Sequence, residues 1–223
     1  FLLGTDSFGR DLLSRVLGGA RSTILLALLA TIIGSTVGAL IGLISAYFGG
    51  RIDEIIMRIV DAVMAIPGLL FALLIISALG SSAINAVIAI GITFAPGMAR
   101  VSRSITLTVR EQDYVAAAVA RGEGAAWIIL REIAPNILAP VIVESTIRVA
   151  FAIMLLATLS FLGMGAQPPS PEWGLMISDA RAHLYRSPWP VIAPGVAIAT
   201  VAVAFNLLGD GLRDVLNPRV QGG

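Results

Sequence analysis

Long uncharged runs alternate along this chain with short charged intervals. No side chain between Arg21 and Arg51 carries a charge, and a membrane-crossing helix needs only about 20 mostly apolar residues. A first span is therefore predicted over residues 22–48. The uncharged run between Asp61 and Arg100 is too long for one crossing, and Gly80-Ser81-Ser82 divides it into predicted spans at 62–79 and 83–99. A fourth is predicted at 140–163, with Glu144 and Arg148 near its start, and a fifth at 191–208. The pattern describes an all-α membrane protein with five spans.

One interval does not look like a simple turn. Residues 111–136, EQDYVAAAVARGEGAAWIILREIAPN, are alanine-rich, charged and helix-forming. They predict a short helix, a change of direction at Gly122 and Gly124, a second apolar stretch, and a stop at Pro135. Tyr114, Val115, Trp127 and Ile128 supply apolar knobs able to enter a groove in another protein. A helix lying on the lipid surface fits less well, because Glu111, Asp113, Glu123 and Glu132 interrupt the basic polar face such helices favour.

Composition narrows the function classes. Charged residues make up 13% of the chain and hydrophobic ones 57%, against roughly 25% charged for a soluble domain. There is no cysteine, so no disulfide framework or thiol nucleophile exists. All 15 basic residues are arginine, which rules out a lysine-dependent phosphate loop. A net charge of +1 gives no polybasic footprint for nucleic acid. The single histidine, His183, lacks the partners for a zinc site or a Ser-His pair.

Arginine placement predicts orientation. Nine arginines (51, 58, 100, 103, 110, 121, 131, 213, 219) fall on one side and five (10, 15, 21, 181, 186) on the other. The first side is expected to be cytoplasmic, with residues 111–136 and the C-terminus. Five spans then leave residue 1 outside, so one further helix is expected to precede it, and residues 1–21 form an external or interfacial segment.

Several positions carry two readings. Gly34, Gly38 and Gly42 repeat at a spacing that lets helix backbones approach closely, or reflect the general abundance of glycine in membrane helices. Glu144 and Arg148 have the order and spacing of a helical ion pair, structural or functional. Pro67, following Met64, kinks its span either beside a cavity or for packing alone. Asn85 and Ser160 could line a pathway or bond a neighbouring helix. Residues 167–174 read as a turn-rich external loop, with Trp173 either a membrane-interface anchor or a contact to a partner.

The order Asp113-Tyr114-Val115-x-Ala117-Ala118-x3-Gly122, a spacer of nine, then x-x-Ala134-Pro135-Asn136 resembles the EAA loop of ABC importer permeases. The likeness covers nearly the whole chain. Gly4-Thr5-Asp6-Ser7-Phe8-Gly9-Arg10-Asp11, Leu159-Ser160-Phe161-Leu162-Gly163 and Phe205-Asn206-Leu207-Leu208-Gly209-Asp210 resemble the dipeptide/oligopeptide/nickel permeases, specifically the second (C-type) subunit, and Pro218-Arg219 continues the last motif.

The resemblance implies a type I ABC importer transmembrane domain over residues 22–219, with a short tail at 220–223 and six helices in a full subunit. It implies a heterodimer with a second permease, two cytoplasmic ATPase subunits, an external substrate-binding protein, and residence in the bacterial cytoplasmic membrane. ATP and magnesium belong to the partners, and this chain binds no cofactor or metal. The coupling residues implied are Asp113, Tyr114, Val115, Ala117, Ala118, Gly122, Trp127, Ile128, Pro135 and Asn136. Met64, Pro67, Asn85 and Ser160 are candidates for the translocation pathway. Two positions depart from the family pattern: Ala116 stands where its glutamate is usual, and Ala134 is small where an apolar residue precedes the proline.

The function expected is import of peptides by a non-catalytic permease, with nickel chelates, glutathione or another small solute as alternatives. A self-sufficient secondary transporter would place ionisable groups at mid-span, whereas Asp61 and Glu144 lie near span ends. An intramembrane enzyme needs a nucleophile–base or metal constellation that the chain does not supply.

Overall fold

The computed structural model describes residues 2–216, so Pro218, Arg219 and the 220–223 tail lie outside the described residues. Asp11 starts the first helix by accepting the backbone N–H of Ser14 at 3.0 Å, an N-cap. The helix that follows, α1 (Leu12–Phe48), is about 55 Å long at 1.5 Å per residue. It begins ten residues before the apolar run. Residues 12–21 are thus helical and continuous with the predicted span, because hydropathy marks where lipid begins and not where a helix does.

After Phe48 the chain turns into α2 (Gly50–Met64), breaks, and continues as α3 (Gly68–Leu79), bent 90° away from it. The predicted span at 62–79 is therefore not one straight rod. Pro67 has no N–H to give and its ring excludes the preceding helical turn. Below the break, α2 is strongly amphipathic, with Ile52, Ile55, Ile59 and Val60 on one side and Asp53, Glu54, Arg58 and Asp61 on the other.

Ser82 caps α4 (Ala83–Arg110) through the backbone N–H of Asn85, and the helix runs well past the predicted limit of residue 99. The short α5 (Asp113–Ala120) and α6 (Ala125–Trp127) follow. A π-helical turn (Ile128–Ile133) then leads into α7 (Ala134–Phe161). Pro135 sits in the first turn of α7, where a missing N–H is tolerated, so it opens a helix instead of stopping one. α8 (Trp173–Ala180) and α9 (Trp189–Leu216) complete the described chain.

Among the described residues, four stretches are long and apolar enough to cross a membrane: α1, α4, Ala125–Phe161 and α9. The bent α2–α3 pair makes up to five, in line with the count from sequence.

The core is built on contact between α1 and α4. Cβ atoms added at Gly34, Gly38 and Gly42 would fall 2.7, 2.3 and 2.2 Å from the carbonyl oxygens of Gly91, Ala95 and Ala99. The register advances in step along both helices, so they run parallel with their backbones in contact. The glycine repeat thus serves packing, the first of its two readings. The Ser102 hydroxyl adds a hydrogen bond to the Ala39 carbonyl at 2.9 Å. Ala27, Ala30, Ala86, Ile90, Ile153 and Leu156 fill the middle of the bundle.

The end of the bundle opposite α5 is closed where the chain enters α8. Trp173 is buried, with its indole N–H donating to the Val16 carbonyl at 2.8 Å and its backbone N–H to Thr23 at 3.3 Å. It is therefore a core residue and not a membrane-interface anchor. Gly19 and Gly174 allow this fit, since an added Cβ would meet Pro171 O at 2.1 Å or Ala157 O at 2.3 Å.

Candidate functional site

The chain between α4 and α7 forms a folded element. Asp113 lies in the first turn of α5, where an acid suits the helix dipole. The helix ends on Gly122 with φ of 79°, a left-handed conformation that glycine adopts without penalty. Gly122 N–H bonds to Val119 O at 2.9 Å and Glu123 N–H to Ala118 O at 3.2 Å, the paired pattern of a Schellman cap. Gly124 has φ of −72° and needs no glycine geometry, so the reversal depends on Gly122 alone.

The two sides of the element do different things. Val115, Ala118, Ile128, Ile133 and Ile137 are buried together with Leu43 from the end of α1. Val115 and Ile128, expected as docking knobs, instead fasten the element to its own subunit. Tyr114 and Trp127 remain 39% and 38% exposed, and Ala116, Ala117, Val119 and Leu130 share that outer surface. Val119 and Leu130 were not singled out from sequence. The signal that separates them is the period of α5: Val115 and Ala118 define the inward stripe and Val119 falls beside it.

Charge organises the same surface. The Arg121 guanidinium lies 5.8 Å from the Trp127 ring centre, 3.6 Å from Glu132 and 3.7 Å from Glu123. Burial, with the negative charge of Glu132, pushes the Tyr114 phenol above its usual range, so it stays a neutral donor. Pro135 and Asn136 are exposed, and the Asn136 amide donates to Glu132 O at 2.6 Å.

The pathway candidates separate. Met64 and Pro67 are exposed at the α2–α3 elbow. Asn85 is committed elsewhere: its amide donates to Leu79 O and Gly80 O, each at 2.9 Å, closing the α3–α4 turn. Ser160 is fully buried and accepts the Ala166 N–H at 3.1 Å, so it faces the α7–α8 loop and no surface of the subunit. Glu144 and Arg148 form their ion pair at 2.8 Å, with Arg148 laid against Gly97.

Sequence reading did not single out the ion pairs joining α2 to α4. Arg103 donates to both oxygens of Asp53, at 2.6 and 2.5 Å, and Ser45 donates to the same carboxylate. Further along, Arg100 donates to Asp61 at 2.6 Å.

A bundle of apolar helices, one of them broken, with a packed amphipathic element at one end is the arrangement of a membrane transport subunit. The chain belongs to the binding-protein-dependent transport system inner membrane component family, whose model matches residues 34–222. It is 42% identical to a dipeptide transport system permease protein of Haemophilus influenzae, over 99% of this chain and 75% of that one. It is 43% identical to a di/tripeptide transport system permease protein of Pseudomonas aeruginosa, over 99% and 73%. A glutathione transport system permease protein of Escherichia coli is also 43% identical, over 98% and 72%. The fold is similar to a chain of the MetNI methionine ABC transporter, with a TM-score of 0.74 at 16% identity, covering 92% of this chain and 98% of that one. The fold is that of a type I ABC importer transmembrane domain.

Proposed function

We propose that this chain is the permease subunit of an ATP-driven importer of small peptides in the bacterial cytoplasmic membrane. It pairs with a second permease, two cytoplasmic ATPase subunits and an external binding protein. The relatives named for dipeptides, tripeptides and glutathione share one chemistry, a short peptide with free termini, and that common feature sets the substrate class. ATP and magnesium are held by the partner subunits, and this chain binds no cofactor.

The observation that carries the coupling role is the two-sidedness of α5 and α6. An inner face locked by Val115, Ala118 and Ile128 makes the element rigid with its own bundle, while an outer face of Tyr114, Ala117, Val119 and Trp127 offers apolar area to a groove. A push on that outer face moves the bundle as a body instead of deforming a loop. Gly122 sets the angle between the two halves, and Asp113, Pro135 and Asn136 mark the ends of the element.

The test is reconstitution of the assembled importer in proteoliposomes with its binding protein. ATP-driven uptake of a labelled dipeptide is expected, and Gly122→Val is expected to weaken both subunit co-purification and peptide-stimulated ATP hydrolysis. A Gly122→Val complex that keeps wild-type levels of both removes the coupling assignment. A wild-type complex that takes up no peptide removes the substrate class.

A further inference from the structure

Between the polar face of α2 and the facing side of α4 lies an open cavity of about 880 Å³. Its charged lining consists of Asp53, Glu54, Arg58, Asp61, Arg100 and Arg103, three acids and three arginines. We propose that this wedge is a transit site for the zwitterionic ends of the transported peptide, its arginines meeting the C-terminal carboxylate and its carboxylates the N-terminal ammonium. The inference rests on the peptide-importer reading.

Three observations carry it. The first is depth. Arg100 lies about 15 Å along α4 from its cytoplasmic end at Arg110, yet Arg100 and Asp61 keep 50% and 58% of their side chains exposed. Charges at that level facing hydrocarbon would be costly, so this side of the subunit fits an aqueous passage or a protein neighbour. The second is the elbow at the top of the wedge. Every residue from Ala65 to Leu70 is exposed where the helix is broken, and interrupted backbone at membrane depth is tolerated where it lines a cavity or is covered by protein. The elbow directly follows the end of α2 that carries Asp61, so the two features adjoin along the chain.

The third is the balance of charge. A wedge with equal numbers of each sign is no trap for a lone anion or cation, but it presents both partners a zwitterion needs. Its pairs also differ in how firmly they are held. Asp53 and Arg103 form a bidentate pair, and Ser45 adds a hydrogen bond at the base of the wedge, which reads as structural. Asp61–Arg100 at 2.6 Å and Glu54–Arg58 at 3.2 Å are exposed and solvated, so each partner can be exchanged for a peptide terminus. Passage requires contacts that form readily and release readily.

The test uses the complete importer in proteoliposomes and a dipeptide bearing a photo-reactive side chain, with free termini. In the wild type, irradiation during turnover is expected to label residues of α2 between 54 and 61 or of α4 near 100–103. Arg100→Gln and Asp61→Asn are each expected to lower uptake by roughly fivefold, the scale of one exchangeable charge pair. The double reversal Asp61→Arg with Arg100→Asp restores the pair between helices but inverts its polarity relative to Glu54 and Arg58, and uptake is expected to stay low. Recovery of uptake in the double reversal means the pair is only a clasp and overturns the proposal. Labelling confined to other helices overturns it as well, and this arm stands even if the variants do not assemble. Absence of any dipeptide uptake by the wild type refutes the peptide-importer reading instead.

Discussion

Replacing Gly38 with alanine tests how closely α1 and α4 approach. The added methyl carbon would lie 2.3 Å from the carbonyl oxygen of Ala95 and 2.7 Å from Met98 Cβ. Carbon–oxygen contacts relax to about 3.3–3.6 Å, so the helices must separate by roughly 1 Å at this level. The first obstacle is backbone, which no side-chain rotation can clear. Forced overpacking costs about 1–3 kcal/mol, and glycine-to-alanine in a helix returns at most about 1 kcal/mol of propensity. The net expectation is a loss of up to about 2 kcal/mol. Gly18 supplies the control, because no heavy atom lies within 4 Å of its added Cβ. The assay is thermal unfolding of the assembled transporter in detergent, followed by loss of the monodisperse peak. Gly18→Ala should melt at or above wild type, Gly38→Ala several degrees below, and Gly38→Leu should fail to assemble. A Gly38→Leu protein that assembles and melts at the wild-type temperature would refute contact between these two backbones.

The inner and outer faces of α5 should be separable by mutation. Val115→Ala is expected to lower thermal stability by about 1–2 kcal/mol through its buried contacts, whereas Tyr114→Ala should leave the melting temperature in place and weaken co-purification of the ATPase subunits. Equal effects in both assays would contradict that division. Trp173→Phe removes the donor to Val16 O while keeping most of the ring volume, and should cost about 1–2 kcal/mol; a wild-type melt would show that the indole hydrogen bond is not holding α8 to α1. Burial pushes the Glu172 carboxyl up, against the lowering effect of the Gly174 and Leu175 N–H groups and the Ser160 hydroxyl. A raised folded-state value means that protonation favours the folded form. The contribution is complete below the ordinary carboxylate value and fades as pH rises through the folded-state value. Melting curves from pH 4 to 8 should flatten in Glu172→Gln, and an unchanged slope would exclude this group as the source.

Much of the architecture was readable because its causes are local. The lipid-facing runs followed from hydrophobic length, a close-packing face on α1 (though not its partner α4) from glycine spacing, and the Gly122 turn from glycine's access to positive φ. Helix ends were less legible. Arg15 and Arg21 lie inside α1 ahead of its apolar run, since a charged side chain that reaches solvent or a partner, as Arg15 reaches Ser170 O, is as compatible with helix as leucine is. The roles of Val115, Ile128 and Trp173 were misjudged for a different reason. An apolar residue in a short extramembrane segment has two possible partners, and only the position of Leu43, Ile137 or Val16 in space decides between another protein and its own core. The Asp53–Arg103 and Asp61–Arg100 pairs depend on how α2 is set against α4, which no periodicity in the sequence encodes.

The parallel contact of α1 with α4 has a mechanical meaning. Two helices touching backbone to backbone at three successive levels resist bending far better than either alone, so they act as one beam. Its inner end continues into α5 and its outer end is tied to the buried Trp173. A displacement applied at α5 would reach the opposite side of the membrane with little loss. The elbow around Pro67, where the α2–α3 span is broken by 90°, is by contrast a place where the chain can bend.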